Sequence, residues 1–252
     1  MASILDKYGI KEVADVTFYN INDDGTAGAP VLYLDTLKVS TIEQTAEETS
    51  ARGGKGNPPL ITWDYGKEIN VTLEDALFSA KSMAILFGSG EVTTLDSSAT
   101  IKKTIAWTKT ATNTVPTTFA GPQGKVYSIP SDATKVTYDA TGSSVSSYTT
   151  GEVYYTVCNI PVAGAEIDVS GDSFPGTYYI TGDTYARSEK TGVDEFFQFI
   201  IPKAKVLSQN TITMQAEGDP SVFNLNLQVL RPASGAMMKL VKYDIELDTD
   251  GE

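Results

Sequence analysis

Phe223-Asn224-Leu225-Asn226-Leu227-Gln228-Val229 alternates apolar and amide side chains without a break. Successive side chains of an extended strand point to opposite faces, so this stretch has one dry face and one polar face. The pattern recurs. Ile69, Val71 and Leu73 alternate with Glu68, Asn70 and Thr72. Ile212, Met214 and Ala216 alternate with Thr211, Thr213, Gln215 and Glu217, and Tyr243, Ile245 and Leu247 with Asp244, Glu246 and Asp248. Glu217-Gly218-Asp219-Pro220 is a turn signal, which makes 211–217 and 222–230 a predicted hairpin. The expected fold class is all-β.

Working outward from these strands, Leu73 to Phe87 breaks the alternation. Leu73, Ala76, Leu77, Ala80, Met83, Ala84 and Phe87 fall at helical spacing on one face, with Thr72 and Asp75 as a capping pair and Gly88 as the C-terminal cap. One short helix flanking the sheet is expected there, packed on it through an apolar stripe. Thr41 to Ala51 departs in the other direction. It reads as extended, yet Thr41, Glu43, Thr45, Glu47 and Thr49 fall on one face and Gln44, Ala46, Glu48 and Ser50 on the other. A strand without an apolar face is not held by its own core. It is expected to be a solvated hairpin arm, or to be held by a neighbouring chain. Arg52-Gly53-Gly54-Lys55-Gly56-Asn57-Pro58-Pro59 follows as a basic, Gly-rich loop, expected to be mobile in the free subunit. Trp63 and Tyr65 come next, and aromatics beside such an arm suit an interface.

The chain has 252 residues, enough for one large all-β domain or two small ones, and its 41% hydrophobic and 20% charged residues are those of a globular protein. It is read as a single β domain over 1–252, with the Thr- and Ser-rich stretch 92–151 an elaboration on the core. The residues after Lys242 are read as an acidic tail.

The sequence contains no histidine, which removes the commonest general base and zinc ligand and any Ser-His-Asp arrangement. Its single cysteine, Cys158, cannot form a disulfide within the chain and reads as a small buried hydrophobe. Asn20 to Gly25 is a poor calcium loop, because the position of the bidentate Glu falls on Val31; a hairpin turn at Asp24-Gly25 is the better reading. Lys55 is followed by Gly56 rather than Ser or Thr, so the phosphate-binding loop pattern fails. Carboxylates are plentiful, but no motif pairs any two of them for acid–base work. No enzyme activity, cofactor or metal is expected. The start of the chain has no secretory signal pattern, and the longest apolar run, Met83 to Phe87, is far short of a membrane span, so a soluble, reducing compartment and no membrane insertion are expected. A net charge of −13 is opposite to that of a protein that grips phosphates.

Taken in order, these features resemble the major tail tube proteins of tailed bacteriophages. The resemblance rests on the acidic arm, then Ala51-Arg52-Gly53-Gly54-Lys55-Gly56-Asn57-Pro58, Trp63-Asp64-Tyr65-Gly66-Lys67, a strand and a short helix. It continues in Phe174-Pro175-Gly176-Thr177-Tyr178, Thr184-Tyr185-Ala186-Arg187, Phe197-Gln198-Phe199, Ile201-Pro202-Lys203-Ala204-Lys205 and Ala216-Glu217-Gly218-Asp219-Pro220, and covers residues 31–90 and 165–243. It implies two packed antiparallel sheets, a β-sandwich or barrel, whose strands join between subunits in a ring. It further implies hexameric rings stacked into a tube for genome delivery. The partners implied are further copies of the chain, the tape measure, the terminator, a sheath, and double-stranded DNA in passage. The implied location is the virion tail, after synthesis in the bacterial host cytoplasm. Thr45, Glu47, Glu48, Arg52, Gly53, Gly54, Lys55, Gly56, Asn57, Pro58 and Trp63 are then candidates for an inter-subunit arm and loop. Glu43, Glu47, Thr213, Gln215, Asn224 and Asn226 are candidates to line the channel, where carboxylates would repel DNA. The competing reading is a monomeric β-sandwich binding module, carbohydrate-binding or adhesin-like.

Overall fold

The computed structural model describes residues 7–108, 110–111, 123–128, 137–139, 150–151, 153–214, 216–217 and 221–243. In chain order its elements are β1 (Tyr8–Ile10), β2 (Asp15–Ile21), β3 (Ala27–Leu34), β4 (Leu37–Arg52), β5 (Pro59–Asp75), α1 (Ala80–Phe87), β6 (Thr93–Leu95), β7 (Thr100–Thr108), β8 (Gln123–Ser128), β9 (Thr137–Asp139), β10 (Val153–Pro161), β11 (Gly164–Glu166), β12 (Thr177–Ser188), β13 (Asp194–Val206), β14 (Phe223–Val229) and β15 (Lys239–Tyr243). The fold is mostly β, antiparallel throughout, with one short helix among the described residues. The chain divides into two compact units, Met1–Val92 with Ile167–Glu252, and Thr93–Glu166.

The first unit is a nine-stranded sheet in the order β3-β2-β12-β13-β14-β5-β4, with β1 beside β12 and β15 beside β13. Its core is one cluster that includes Leu32 from β3 and Leu37 from β4, strands at opposite ends of that order. The sheet therefore rolls on itself, and both of its ends contribute to one interior. Val71 and Leu73 of β5 meet Leu225 and Leu227 of β14 across the ladder, all at most 2% exposed. Burial of this kind stabilises by roughly 25 cal/mol per Å² of apolar surface. The turn between β2 and β3 is a tight one at Gly25 (φ 81°), where the Asn22 N–H donates to the Thr26 carbonyl at 3.0 Å. The second unit holds the four-stranded sheet β7-β10-β8-β9 and the pair β11-β6.

Three local expectations are corrected. The helix is shorter at its start than the apolar stripe suggests, because Leu73 and Asp75 continue β5 and pair with Leu225 and Phe223. Asp75, 3% exposed, then ends the strand: its Oδ1 accepts from the Thr36 hydroxyl at 2.5 Å and from the Leu77 N–H at 3.2 Å. The helix is capped by Ser79 and Ser82 in a reciprocal capping box, not by Thr72 and Asp75, and it ends at Gly88 as the sequence indicates. Residues 211–214 form no strand. β5 pairs with β14 from Phe223 to Gln228 and β13 pairs with it only from Leu227 to Val229, and residues 211–214 run past the remaining stretch without joining the ladder. Gly218, Asp219 and Pro220 of the expected turn lie outside the described residues, as do the side chain of Cys158, residues 244–252 of the last alternating stretch and acidic tail, and Met1 to Asp6.

Candidate assembly surface

The β4–β5 hairpin leaves the core. Its base is anchored by Ile69, Val71 and Leu73, but every residue of β5 from Pro59 to Glu68 is exposed. At 3.3 Å per residue, the part beyond the core reaches roughly 30 Å. At the tip, Gly53 to Pro58 closes a turn: the Gly53 N–H donates to the Pro58 carbonyl at 3.3 Å and the Asn57 N–H to the Gly54 carbonyl at 3.1 Å. Gly54, Gly56 and Asn57 take positive φ there, which explains the glycines at 54 and 56. Arg52 and Pro59 are the last paired residues, and Lys55 stands at the apex.

Register decides which side chains this arm presents. Near the core, Ser40, Ile42 and Gln44 oppose Leu73, Val71 and Ile69, so the even positions of β4 face inward. Between Thr45 and Glu47 the pairing slips: Thr45 opposes Glu68, but Glu47 opposes Tyr65. One extra β5 residue is accommodated at Gly66, with φ 61°. This bulge reverses the facing of β5 from that point on. Tyr65, Trp63 and Ile61 then oppose Glu47, Thr49 and Ala51 on the outer face, whereas Asp64 and Thr62 oppose Glu48 and Ser50 on the inner one. The outer row is apolar and open, with Ile61 56%, Trp63 52% and Tyr65 52% exposed. The Glu47 carboxylate accepts a hydrogen bond from the Tyr65 hydroxyl and so pushes that phenol above its ordinary range.

At the base of the arm the same outer face is polar. Glu43 opposes Asn70, Thr41 opposes Thr72, and Asn226 and Asn224 lie across from Thr72 and Glu74. The structure thus brings Glu43, Asn224 and Asn226 onto one face, with Thr45 and Glu47 farther along it, and puts Glu48 on the other. Thr213 is exposed outside any strand, and Gln215 lies outside the described residues. Sequence reasoning found two polar faces in 41–51 but missed that the partner strand carries an apolar row. The available signal was Gly66 inside a strand pattern, a common mark of a bulge.

A second extension lies at the far end of the β12–β13 hairpin. There β1 and β15 flank it, giving a four-stranded piece in the order β1-β12-β13-β15. One face carries Ile10, Thr184, Phe197, Phe199 and Leu240 and continues the core face. Ile10 is 65% and Leu240 71% exposed. With Ser40, Ile42 and Val71 of the hairpin base, these residues line a hollow of about 360 Å³. The Ser40 hydroxyl is sealed from solvent there without a hydrogen-bond partner. Deeper on this face Lys242 pairs with Glu195, a hydrogen bond that holds its ammonium above the usual range, and lies 5.2 Å from the centre of the Tyr8 ring. On the opposite face the Asp183 carboxylate accepts from Gln198 and from the Tyr243 hydroxyl, each at 2.9 Å. These groups tie strands together. None of them forms a nucleophile–base pair, and no helix among the described residues is long and apolar enough to cross a membrane.

The model of the YomU/Tube protein family matches residues 8–242. No curated protein matches the chain. The match spans nearly the whole sequence, so the chain belongs to the YomU/Tube protein family, and its role is a structural one related to phage tubes.

Proposed function

We propose that this member of the YomU/Tube protein family is the repeating subunit of a phage tail tube, in which copies close into six-membered rings and the rings stack around a bore that passes the genome. The observation that carries the reading is the arm: a hairpin standing roughly 30 Å off its core with an open apolar row has no use in a free monomer. Thr45, Glu47, the tip from Arg52 to Pro58, and Trp63 belong to the contact between subunits, while Glu48 stays in water on the inner face of the arm. Burying the row on a neighbour orders the arm and hides apolar surface in one step. The basal polar face, with Glu43, Asn224 and Asn226, faces the bore, where carboxylates and amides let phosphates slide without binding. Glu47 sits with Tyr65 and goes with the arm. A long two-stranded ribbon twists strongly, which turns its distal row away from its basal face. The remaining partners are other tail proteins, among them the tape measure, the terminator and, in a contractile tail, a sheath.

Negative-stain electron microscopy of the purified protein over a concentration series, with light scattering, tests this. Hollow rings or tubes are expected. A particle that stays monomeric at every concentration, and also when supplied with tail-tip complexes as initiators, overturns the reading in favour of a binding module.

A further inference from the structure

We infer that the hollow between the hairpin base and the β1-β12-β13-β15 face is the receptor for the arm of a second copy, whose Ile61, Trp63 and Tyr65 pack against Ile10, Phe197 and Leu240. This rests on the tube reading and adds to it the partner surface.

Three observations converge on the second copy. The hollow is built as core but left open: Ile10 and Leu240 continue the buried face of β12 and β13, yet are 65% and 71% exposed, and Ser40 keeps an unpartnered hydroxyl out of water. The arm carries the matching feature, an apolar row on one face of a two-stranded ribbon. Sheet faces pack on sheet faces at about 10 Å with interdigitating side chains, so ribbon and receptor are the same kind of surface. The third observation excludes the chain's own arm. Ser40 and Ile42 line the hollow from the inner face of the hairpin, whereas Ile61, Trp63 and Tyr65 are on its outer face and farther along. A row cannot fold back onto the opposite face of its own strands. The contact therefore joins two different patches on two copies, a heterologous contact, which closes into a ring or propagates as a stack. Charge agrees: the arm tip brings Arg52 and Lys55, and the rim of the hollow carries Glu12.

The test uses the full chain in two single-cysteine forms, each with Cys158→Ser. One carries Thr49→Cys, beside Trp63 on the outer face of the arm, the other Glu12→Cys at the rim of the hollow, so that the apolar contacts themselves are kept. They are mixed, assembled and treated with a short bis-maleimide. The expected result is a heterodimer band enriched about tenfold over the unassembled mixture, because assembly raises the effective concentration of the two thiols. Thr184→Cys in place of Glu12→Cys gives the same band and guards against one badly placed thiol. Rings or tubes by microscopy with no heterodimer from either pair overturn the receptor while leaving the tube reading intact. So does a hollow thiol shielded from maleimide already in the monomer, since the chain's own termini then cover it. No assembly under any condition overturns both.

Discussion

Trp63→Ser should abolish assembly at working concentrations while leaving the monomer folded. The residue is 52% exposed, so of the ~250 Å² that a large aromatic can bury, roughly 130 Å² is open to a partner. At about 25 cal/mol per Å², full coverage of that area is worth about 3 kcal/mol per contact. Each 1.4 kcal/mol is about tenfold in an equilibrium constant, so the critical concentration should rise by about 100-fold, or about tenfold if half the area is covered. Light scattering against concentration reads this directly. The control is the monomer: a surface substitution that removes no internal partner changes stability by only about 0.5 kcal/mol, so the denaturation midpoint should hardly move. An unchanged critical concentration would refute the placement of the row at an interface. A matching loss of monomer stability would refute the claim that its partner is another chain.

Other predictions concern the scaffold that holds these surfaces. Gly88→Ala should lower the thermal midpoint by several degrees, because φ is 80° and a Cβ would lie 2.4 Å from the Phe174 carbonyl carbon; a left-handed conformation alone costs about 1 kcal/mol. Gly182→Ala places a Cβ 1.9 Å from the Phe199 ring and should cost about 1–3 kcal/mol by overpacking; in a double-mutant cycle with Phe199→Leu the two losses should fall short of additive. Arg187 holds Asp194 by hydrogen bonds of 2.7 and 2.8 Å, and that pairing keeps the Asp194 carboxyl below its ordinary range. The sign follows: a lowered carboxyl favours the folded state at neutral pH and loses that contribution as pH falls through the folded value. Titration by carboxyl NMR should show Asp194 returning upward in Arg187→Gln, with a difference that shrinks in high salt.

The sheet was legible where one strand face is dry. Leu225, Leu227, Val71 and Leu73 alternate because they line a buried interior, and period 2 is a direct projection of that burial. The same signal misled at Ile212 and Met214. Alternation shows that a segment can be extended with two unlike faces, but whether it joins a ladder is a tertiary fact that no local pattern encodes. The helix start was misread for a related reason. Leu73 fits both a period of 2 and a period of 3.6, and the choice was made by Asp75, whose carboxylate closes the turn onto Thr36 across 39 residues of sequence. The arm was legible as an anomaly, a strand with nothing to bury. Its apolar row was not, because the face on which Trp63 lies depends on one residue of slip at Gly66.

That slip also bears on what the arm is for. An autonomous hairpin would be expected to place opposite charges across its ladder and to shield its aromatics against a second layer. This one sets Glu48 directly opposite Asp64, a like-charge pair that weakens the ladder, and leaves Ile61, Trp63 and Tyr65 open on the other face. Its glycines at 53, 54, 56 and 66 add chain entropy to be lost on ordering. Each choice works against the hairpin as a free element. Such conflicts between local preference and observed structure concentrate where function imposes them. In the proposed tube the missing compensation comes from outside the monomer, and a surface that supplies an apolar face to the outer row does so without altering the inner one. Glu48 and Asp64 stay in water in that arrangement. The same two carboxylates, set along the arm of every copy, oppose the pairing of one arm with another through their inner faces. On the proposed assembly, the acidic arm discourages the wrong self-contact while its outer row favours the right one.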